Sequence, residues 1–408
     1  MLQRDVPVPV WGDAAAGETV TVRFGGQTKN VTAGKNGHWR VTLDPLHTAS
    51  DGREMTVTGG GKTIRMRNVL VGEVWLCSGQ SNMEYSMRKN SKFQKGADAL
   101  DSARNPLIRI FLVRNNYSKP DRHIHRRWDT AEGKPLRDFS AAGYFFAREL
   151  YSRLHVPIGV ISNAIPGSRI EPWLPDTGKF YKTLVTPLAP YALKGFLWYQ
   201  GESNCFLGDT LRYAGKMKTL IEGWRSLWGN SGLSFYFVQI APYYYSKTTG
   251  STGTEPAFWE AQEKALSLPH TGMVVTTDLV DTPLDLHPAY KWEVGRRLAL
   301  LALAKDYGQQ VTYSGPVYLG MRISGRKVEL TFAGGPLVDR KPLRWFETED
   351  KNGKFAPATA IIAGDDKIIL KARTRPIGVR FGWKETAQPN LFNKEGLPAM
   401  PFRATEYE

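Results

Sequence analysis

The sequence has little cysteine and no long apolar run. Among its 408 residues only Cys77 and Cys205 are cysteines, which excludes a framework of several disulfides. One disulfide between the two remains open, as does burial of both as small apolar residues. No stretch of 18 apolar residues is present, so we expect no membrane insertion.

Clusters of metal ligands and of basic residues are also missing. No group of cysteines and histidines has the spacing of a zinc site. The sequence contains neither a block of five Lys or Arg residues nor a nucleic-acid-binding motif. The formal net charge is nevertheless +15, which is typical of a solvated basic surface and which also attracts acidic polysaccharides. We expect no metal and no nucleic-acid partner.

Alternation of apolar and polar residues predicts β structure at both ends of the chain. Gly-rich turns separate the strands predicted near the N-terminus, which are Glu18–Phe24, Gln27–Ala33 and His38–Leu43. Strands predicted after Gly308 are Lys327–Phe332, Ile368–Leu370 and Gly378–Trp383. We therefore predict β-sandwich-like regions over residues 1–68 and 308–408, forming either one module or two.

The centre of the chain alternates compact apolar runs with helical patterns. The apolar runs predict strands buried on both faces at Val71–Leu76, Ile108–Val113, Ile158–Ser162, Gly195–Tyr199, Phe235–Ile240 and Met273–Thr276. Such alternation is typical of an α/β domain with a doubly wound parallel sheet. We assign this catalytic α/β domain to residues 69–307.

Several helices are predicted between these strands. Ser140 is a suitable N-cap for a helix over Ala141–Leu154. An apolar stripe at helical spacing is formed by Tyr213, Met217, Leu220, Ile221, Trp224 and Trp228. A shorter helix is predicted over Trp259–Leu266. Another is predicted to begin with Pro288 at its first position and to end near Lys305.

Polar segments follow three of the predicted strands, and ligands of open α/β sheets bind at such strand ends. The first segment is Cys77-Ser-Gly-Gln-Ser-Asn-Met-Glu84. A strand that passes through glycine into Ser81 and then into a helix places the serine hydroxyl on a tight turn. The backbone N–H of Ser81 then lies at the helix start, where it can face a developing oxyanion. A serine N-cap is the structural alternative.

The second segment, Asp285-Leu-His-Pro288, contains a base and a carboxylate. A nucleophilic serine needs a base such as His287, and the base needs an orienting group such as Asp285. Instead of a catalytic role, His287 could have the purely structural role of a helix cap.

Two further segments offer oxyanion donors and substrate ligands. Gln200, in Trp198-Tyr-Gln-Gly-Glu-Ser-Asn204, has a side-chain amide at a strand end. Gly167, in Pro166-Gly-Ser-Arg-Ile-Glu171, can present a backbone N–H. Beside it, Arg169 offers a positive charge, unless Arg169 and Glu171 form a purely structural ion pair or turn.

These segments resemble the signature blocks of the sialate O-acetylesterase family within the SGNH-hydrolase superfamily. The long block Gly72–Glu84 carries most of the resemblance, together with the segments around Gln200 and His287. Pro9-Val-Trp-Gly12 and Pro389–Ala399 also resemble the family. The resemblance implies an SGNH-type, flavodoxin-like fold and hydrolysis of O-acetyl groups on carbohydrates, without a cofactor.

The resemblance also implies roles for individual residues. Ser81 matches the nucleophile and His287 the base, while Ser81, Gly167 and Gln200 match the oxyanion hole. The superfamily commonly places its orienting Asp three residues before the histidine, where this chain has Leu284. Asp285 is therefore our candidate, with Asp281, Asp278 or a backbone carbonyl as alternatives. As substrate-binding residues we predict Asn82, Arg169 and Glu202.

The substrate and the location of the protein follow from the same resemblance. We expect an acetylated glycan, such as O-acetylated sialic acid, as the substrate. Acetylxylan or pectin is one alternative, and a non-catalytic glycan-binding module on a hydrolase fold is another. Met1–Val10 lacks the apolar core of a signal peptide. A glycan substrate favours a secreted or periplasmic protein whose signal peptide is absent from the given chain, with a cytoplasmic location as the alternative.

Overall fold

A computed structural model describes residues 1–113, 127–339 and 342–406. The fold is mixed α/β, with a central mixed sheet and additional antiparallel sheets. Among the described residues, none of the helices combines the length and the apolar character that crossing a bilayer requires.

The strands are numbered in chain order. In the first half of the chain they are β1 (Leu2–Gln3), β2 (Val8–Asp13), β3 (Thr19–Phe24), β4 (Gln27–Thr32), β5 (His38–Leu43), β6 (Ala49–Gly59), β7 (Lys62–Gly79), β8 (Ile108–Leu112), β9 (Trp128–Thr130), β10 (Ile158–Ala164) and β11 (Gly195–Tyr199). In the second half they are β12 (Ser234–Val238), β13 (Thr271–Val274), β14 (Val317–Ser324), β15 (Lys327–Ala333), β16 (Leu337–Asp339), β17 (Phe346–Glu349), β18 (Phe355–Pro357), β19 (Thr359–Ile362), β20 (Lys367–Lys371), β21 (Gly378–Phe381), β22 (Leu391–Asn393) and β23 (Phe402–Thr405).

The α-helices are α1 (Ser81–Glu84), α2 (Met87–Asn90), α3 (Gln94–Asp101), α4 (Gly133–Asp138), α5 (Ala141–Leu154), α6 (Glu202–Cys205), α7 (Arg212–Trp228), α8 (Ser246–Thr249), α9 (Thr254–Lys264) and α10 (Lys291–Lys305). Short 3₁₀ turns occur at Glu171–Trp173, Thr186–Leu188 and Ala265–Ser267, and a π turn at Tyr181–Val185.

Contacts between residues divide the chain into two compact units. The first unit comprises Met1–Pro166, Glu171–Trp198 and Leu220–Phe235. The second comprises Gly167–Ile170, Tyr199–Thr219 and Tyr236–Glu408. The domain boundaries at residues 68/69 and 307/308 remain predictions.

The first unit contains the strands that lead to Ser81. Its sheet runs in the order β11-β7-β10-β8-β9, in which β10 pairs in parallel with both β7 and β8, while β9 pairs antiparallel with β8. The second half of β7, from Val69 to Gly79, is buried, as the apolar composition of Val71–Leu76 predicts. The sheet is mixed because antiparallel strands extend the predicted parallel core.

The N-terminal strands of the same unit form a small sandwich. β2 pairs with β5, and β3 pairs with β4 and β6. Side chains of both groups of strands share one apolar cluster, in which Val8 and Leu43 lie with Val22 and Met55. The alternating pattern of the sequence therefore predicted this region correctly.

In the second unit, the C-terminal strands form two antiparallel sheets. Their orders are β14-β15-β20-β19 and β18-β17-β21-β23. Leu330 and Ile368 of the first sheet share an apolar cluster with Phe346 and Phe381 of the second. This common core makes the C-terminal region sandwich-like, as predicted.

The predicted helices agree with the structure in part. Ser140 accepts a hydrogen bond from the N–H of Gly143 (3.1 Å), so its role as the N-cap of α5 is confirmed. The predicted stripe lies on α7, with all its members except Trp228 fully buried. The prediction that Pro288 opens a helix was wrong. α10 begins at Lys291, because its first hydrogen bonds are accepted by the carbonyl of Tyr290. α9 also begins earlier than predicted, at Thr254.

Candidate active site

Ser81 is the first residue of α1 and directly follows the turn that ends β7. Gly79 has a φ of 137°, which side-chain-bearing residues rarely adopt, and it allows the chain to turn into the helix. The end of β7 is held to β10, since Ser78 Oγ donates to the carbonyl of Asn163 (2.6 Å). In addition, the N–H of Ile165 donates to the carbonyl of Gly79 (2.9 Å). Ser81 is thus a half-buried residue on a braced turn.

The N-cap role, which was the structural alternative for Ser81, is taken by a different residue. Gln80 is the N-cap of α1, and Ser81 stands at the first helical position. A backbone N–H at that position points out of the helix start, where it can face a developing oxyanion. The strand–turn–helix prediction for this segment is therefore confirmed.

The other end of α1 is tied to the start of α5. Ser140 Oγ donates to the carbonyl of Met83 (2.6 Å), and the N–H of Ala141 donates to the carbonyl of Tyr85 (2.8 Å). Ser140 is buried and caps α5 with the same hydroxyl. The N-terminus of a long helix therefore positions the short helix that carries Ser81.

Gly167 lies on an exposed turn with a φ of 69°, and the neighbouring residues are tied to the segment around Gln200. Gln200 is fully buried, and its Nε2 donates to the carbonyl of Ser168 (3.2 Å). Asn204 Oδ1 accepts from the N–H of Ile170 (3.0 Å) and from Gln200 Nε2 (2.8 Å). Two of the predicted oxyanion-hole segments are thus brought together within the second unit.

The orientation of the Gln200 amide is set from its other side. The hydroxyl of Tyr213 donates to Gln200 Oε1 (2.6 Å), which leaves Nε2 directed at Ser168 and Asn204. Gly201 is required here, because a Cβ at this position would lie 2.6 Å from Ile240 Cγ2. Tyr213 was predicted only as part of an apolar stripe, and its hydroxyl gave no separate signal in the sequence.

The loop before α10 carries His287 and the candidate carboxylates. Asp285 is exposed, and its Oδ1 accepts a hydrogen bond from the backbone N–H of His287 (2.8 Å). Asp278 forms a two-point ion pair with Arg297 (2.6 and 2.8 Å), and Asp281 accepts a hydrogen bond from the hydroxyl of Tyr290. Of the three aspartates proposed from the sequence, Asp285 is the one bonded to His287, and the bond is to the backbone N–H rather than to the imidazole ring.

Lys291, the first residue of α10, directly follows this loop and was missed by sequence reasoning. Its side chain is buried, its Nζ donates to the carbonyl of Pro288 (2.7 Å), and it lies 5.3 Å from the centre of the Tyr199 ring. Burial lowers the pKa of Lys291 to about 7, although the charges of Glu202 and Asp285 act in the opposite direction. A lysine at a helix start normally indicates a solvated face, so the sequence contained no signal for its burial.

The predicted substrate-binding residues differ in exposure. Asn82 and Glu202 are each only 1% exposed, whereas Arg169 is exposed. Arg169 makes no ion pair with any residue that the structure describes, so the structural ion pair with Glu171 is not formed there. Its charge therefore remains available to a ligand.

Both cysteines are buried free thiols, and no disulfide joins them. Burial raises the pKa of Cys77, and burial followed by the charge of Glu255 raises that of Cys205. Neither thiol has the lowered pKa of a reactive cysteine.

Comparisons of the sequence and of the structure with known proteins agree on one class of enzyme. A family profile described as carbohydrate esterase, sialic acid-specific acetylesterase matches residues 71–304. Sialate O-acetylesterase of Homo sapiens is 28% identical over 465 residues, covering 97% of this chain and 88% of the human protein. The Pongo abelii enzyme gives the same values. A crystal structure of a carbohydrate acetylesterase from Xanthomonas citri is similar with a TM-score of 0.90 and 34% identity, covering 99% of this chain and 96% of that one.

Proposed function

The chain belongs to the carbohydrate esterases described as sialic acid-specific acetylesterases, and from that premise we propose that Ser81 is the nucleophile of its reaction. The protein hydrolyses O-acetyl groups of carbohydrates, which sets aside the non-catalytic alternative. The observation that supports Ser81 is its position as first residue of α1, on a braced turn at the end of a buried strand.

In the proposed reaction His287 takes the proton of the Ser81 hydroxyl as Oγ attacks the acetyl carbonyl. The backbone N–H groups of Ser81 and Gly167 donate hydrogen bonds to the tetrahedral oxyanion. The amide of Gln200, predicted as a third donor, uses its two N–H groups for Ser168 and Asn204, so it joins them only by exchanging one of these bonds. His287 then gives its proton to the departing sugar hydroxyl, which leaves an acetyl ester on Ser81. Water attacks this ester in the same way and releases acetate.

Hydrogen bonds within the second unit support the roles proposed for Gly167, Gln200 and Asp285. The bond from Gln200 to the Ser168 carbonyl holds the residue next to Gly167, so both proposed donors belong to one hydrogen-bonded group. Asp285 restrains His287 through its backbone N–H and is our candidate for the group that stabilises the imidazolium.

For the substrate we propose an O-acetylated acidic sugar, with sialic acid as the first candidate. The relatives named sialate O-acetylesterase suggest this sugar, and the exposed, unpaired charge of Arg169 suits a carboxylate. The net charge of +15 also attracts acidic glycans. Acetylxylan and acetylated pectin are the alternative substrates.

Release of acetate from 9-O-acetyl sialic acid, acetylxylan and acetylated pectin tests both parts of the proposal. We expect the fastest release from the sialic acid, and a loss of about 10⁴-fold or more in Ser81→Ala. Ser152→Ala, which removes an exposed hydroxyl on α5, is the control and should match the wild type.

The proposed nucleophile and the proposed substrate can each be contradicted by a result of their own. Turnover near the wild-type rate in Ser81→Ala would remove Ser81 from the role of nucleophile. Faster release from acetylxylan or pectin by the wild type would replace the acidic sugar as substrate and leave the assignment of Ser81 intact.

A further inference from the structure

Two cavities in the second unit share a wall formed by Trp383. The first has a volume of about 620 Å³, and its lining includes Glu263, Tyr318 and Arg403. The second has a volume of about 420 Å³, and its lining includes Arg380. Both volumes lie within the range of about 300–1,000 Å³ that small-molecule sites occupy. Neither cavity is lined by a residue assigned above to the reaction.

Three aromatic residues, Tyr318, Trp383 and Phe402, contribute to the wall of the first cavity. Tyr318 and Phe402 stack in parallel, with ring centres 4.4 Å apart and an angle of 9° between the planes. Trp383 is half-buried, so part of its ring is open to a ligand. The stacked pair supports the wall, and the accessible part of the Trp383 ring presents a rigid apolar surface. The C–H face of a pyranose ring packs well against such a surface.

Two charged side chains, Arg403 and Lys264, also line the first cavity. The guanidinium of Arg403 lies 5.3 Å from the centre of the Trp383 ring, and its Nε is 3.1 Å from Oε2 of Glu260. Lys264 Nζ lies 3.2 Å from the other oxygen of Glu260. Both cations lie beside the same carboxylate, and each has further N–H groups that can donate to hydroxyl groups.

The carboxyl group of Glu263 can both donate and accept hydrogen bonds. Burial, followed by the charge of Glu260, raises the pKa of Glu263 to about 7. Near neutral pH a large fraction of this carboxyl is therefore protonated. A protonated carboxyl matches the mixed donor and acceptor character of a sugar hydroxyl.

The second cavity lies beside the chain segment that leads to His287. Tyr244 lines this cavity, and its backbone N–H donates to the carbonyl of Pro283 (3.2 Å). Arg380 and Lys384 line it as well, and both are paired with the single carboxylate of Glu347 (2.6 and 3.4 Å). The two cavities thus offer N–H donors on both sides of one tryptophan.

We propose that Trp383 and the two cavities beside it form a second saccharide-binding site, which holds an oligosaccharide segment other than the acetylated sugar undergoing hydrolysis. Trp383 packs against a sugar ring, and Arg403, Lys264 and Glu263 bind the hydroxyl groups of the oligosaccharide. Such a site contacts a part of the glycan that does not react. The proposal rests on the action of the enzyme on carbohydrates and is independent of which residue is the nucleophile.

Binding of oligosaccharides that lack acetyl groups tests the site. Sialyllactose, xylohexaose and hexagalacturonic acid are titrated into the full chain, with saturation-transfer NMR and calorimetry as readouts. We expect at least one of them to bind the wild type, and Trp383→Ala to weaken that binding about tenfold. Arg403→Met, which keeps the aromatic wall, should weaken it as well.

Trp11→Ala is the matched control, because Trp11 is a 38% exposed tryptophan of the first unit. It should bind the oligosaccharide and hydrolyse p-nitrophenyl acetate like the wild type. Ser81→Ala should retain the binding, so failure of the proposed nucleophile and failure of this site give different results. Absence of binding by the wild type would overturn the proposal. Unchanged binding in both Trp383→Ala and Arg403→Met would do the same.

Discussion

The side chain of Asn204 accepts a hydrogen bond from the backbone N–H of Ile170, 34 residues earlier in the chain, at 3.0 Å. The same oxygen accepts a bond from Gln200, and the amide nitrogen of Asn204 donates to Asp209 (3.1 Å). Asn204 therefore holds the turn that carries Gly167 in a defined position next to Gln200. Both of these residues are proposed oxyanion donors.

Asn204→Leu tests this positioning role. The substitution leaves the N–H groups of Ile170 and Gln200 without their acceptor, so the turn around Gly167 should shift. Since loss of one oxyanion-hole donor costs about 10²–10³ in rate, we expect kcat for acetate release to fall by about 10²-fold with little change in KM. Steady-state kinetics on the preferred acetylated sugar measures both parameters.

The matched control is Asn105→Leu, in the first unit. Asn105 Oδ1 also accepts a bond from a backbone N–H, that of Leu107 (2.9 Å), but no proposed catalytic residue lies on its loop. The kcat of Asn105→Leu should equal that of the wild type. Equal kcat in Asn204→Leu and Asn105→Leu would show that Asn204 does not position the reacting groups.

Asp285→Asn separates the charge of Asp285 from its structural bond. Asparagine retains an oxygen that can accept the N–H of His287, so the loop should keep its conformation. If the carboxylate stabilises the imidazolium, kcat should fall by about 10⁴-fold, as in known triads. Asp281→Asn, in which the partner is Tyr290, should be close to the wild type. A loss of tenfold or less in Asp285→Asn would assign the orienting role to another group.

Lys291→Met should change how stability depends on pH. Because the pKa of Lys291 is about 7 in the folded protein and near 10.5 when unfolded, the unfolded chain binds more protons between these values. The free energy of unfolding contributed by this group therefore rises with pH, by at most about 1.4 kcal/mol per pH unit.

Urea denaturation at pH 7, 8 and 9 measures the effect. The wild type should gain stability relative to Lys291→Met over this range. The exposed Lys134→Met should give a profile parallel to the wild type. A parallel profile for Lys291→Met as well would show that Lys291 is not buried in this way.

Two adjacent arginines of α10 should differ greatly in their contribution to stability. Arg297 is buried and binds Asp278, Glu293 (2.8 Å) and the carbonyl of Val275 (2.7 Å). Arg297→Met leaves the partly buried Asp278 without its cation and should lower the free energy of unfolding by about 3–5 kcal/mol. Arg296 is 38% exposed and is paired with the same Glu293. Arg296→Met should therefore lower the free energy of unfolding by only about 0–1 kcal/mol. Urea denaturation of both variants checks this, and equal losses would contradict it.

Local patterns predicted most of the elements that carry the candidate site. The apolar run Val71–Leu76 and the glycine before Ser81 predicted the end of β7 and the start of α1, because strand burial and turn chemistry depend on neighbouring residues. Ser140 was recognised as an N-cap for the same reason. The start of α10 was placed too early, since proline at position 288 suits a first helical turn but here precedes it.

The sequence by itself determined the alternation of strands and helices, the segments that follow the strands, and the family to which they belong. Only the tertiary structure decided which partners these residues have. It pairs Asn204 with Ile170 and Asp278 with Arg297, buries Lys291, and places Trp383 between two cavities. Such contacts join residues far apart in the chain, and their strength depends on exclusion of water. Local sequence patterns therefore do not contain them.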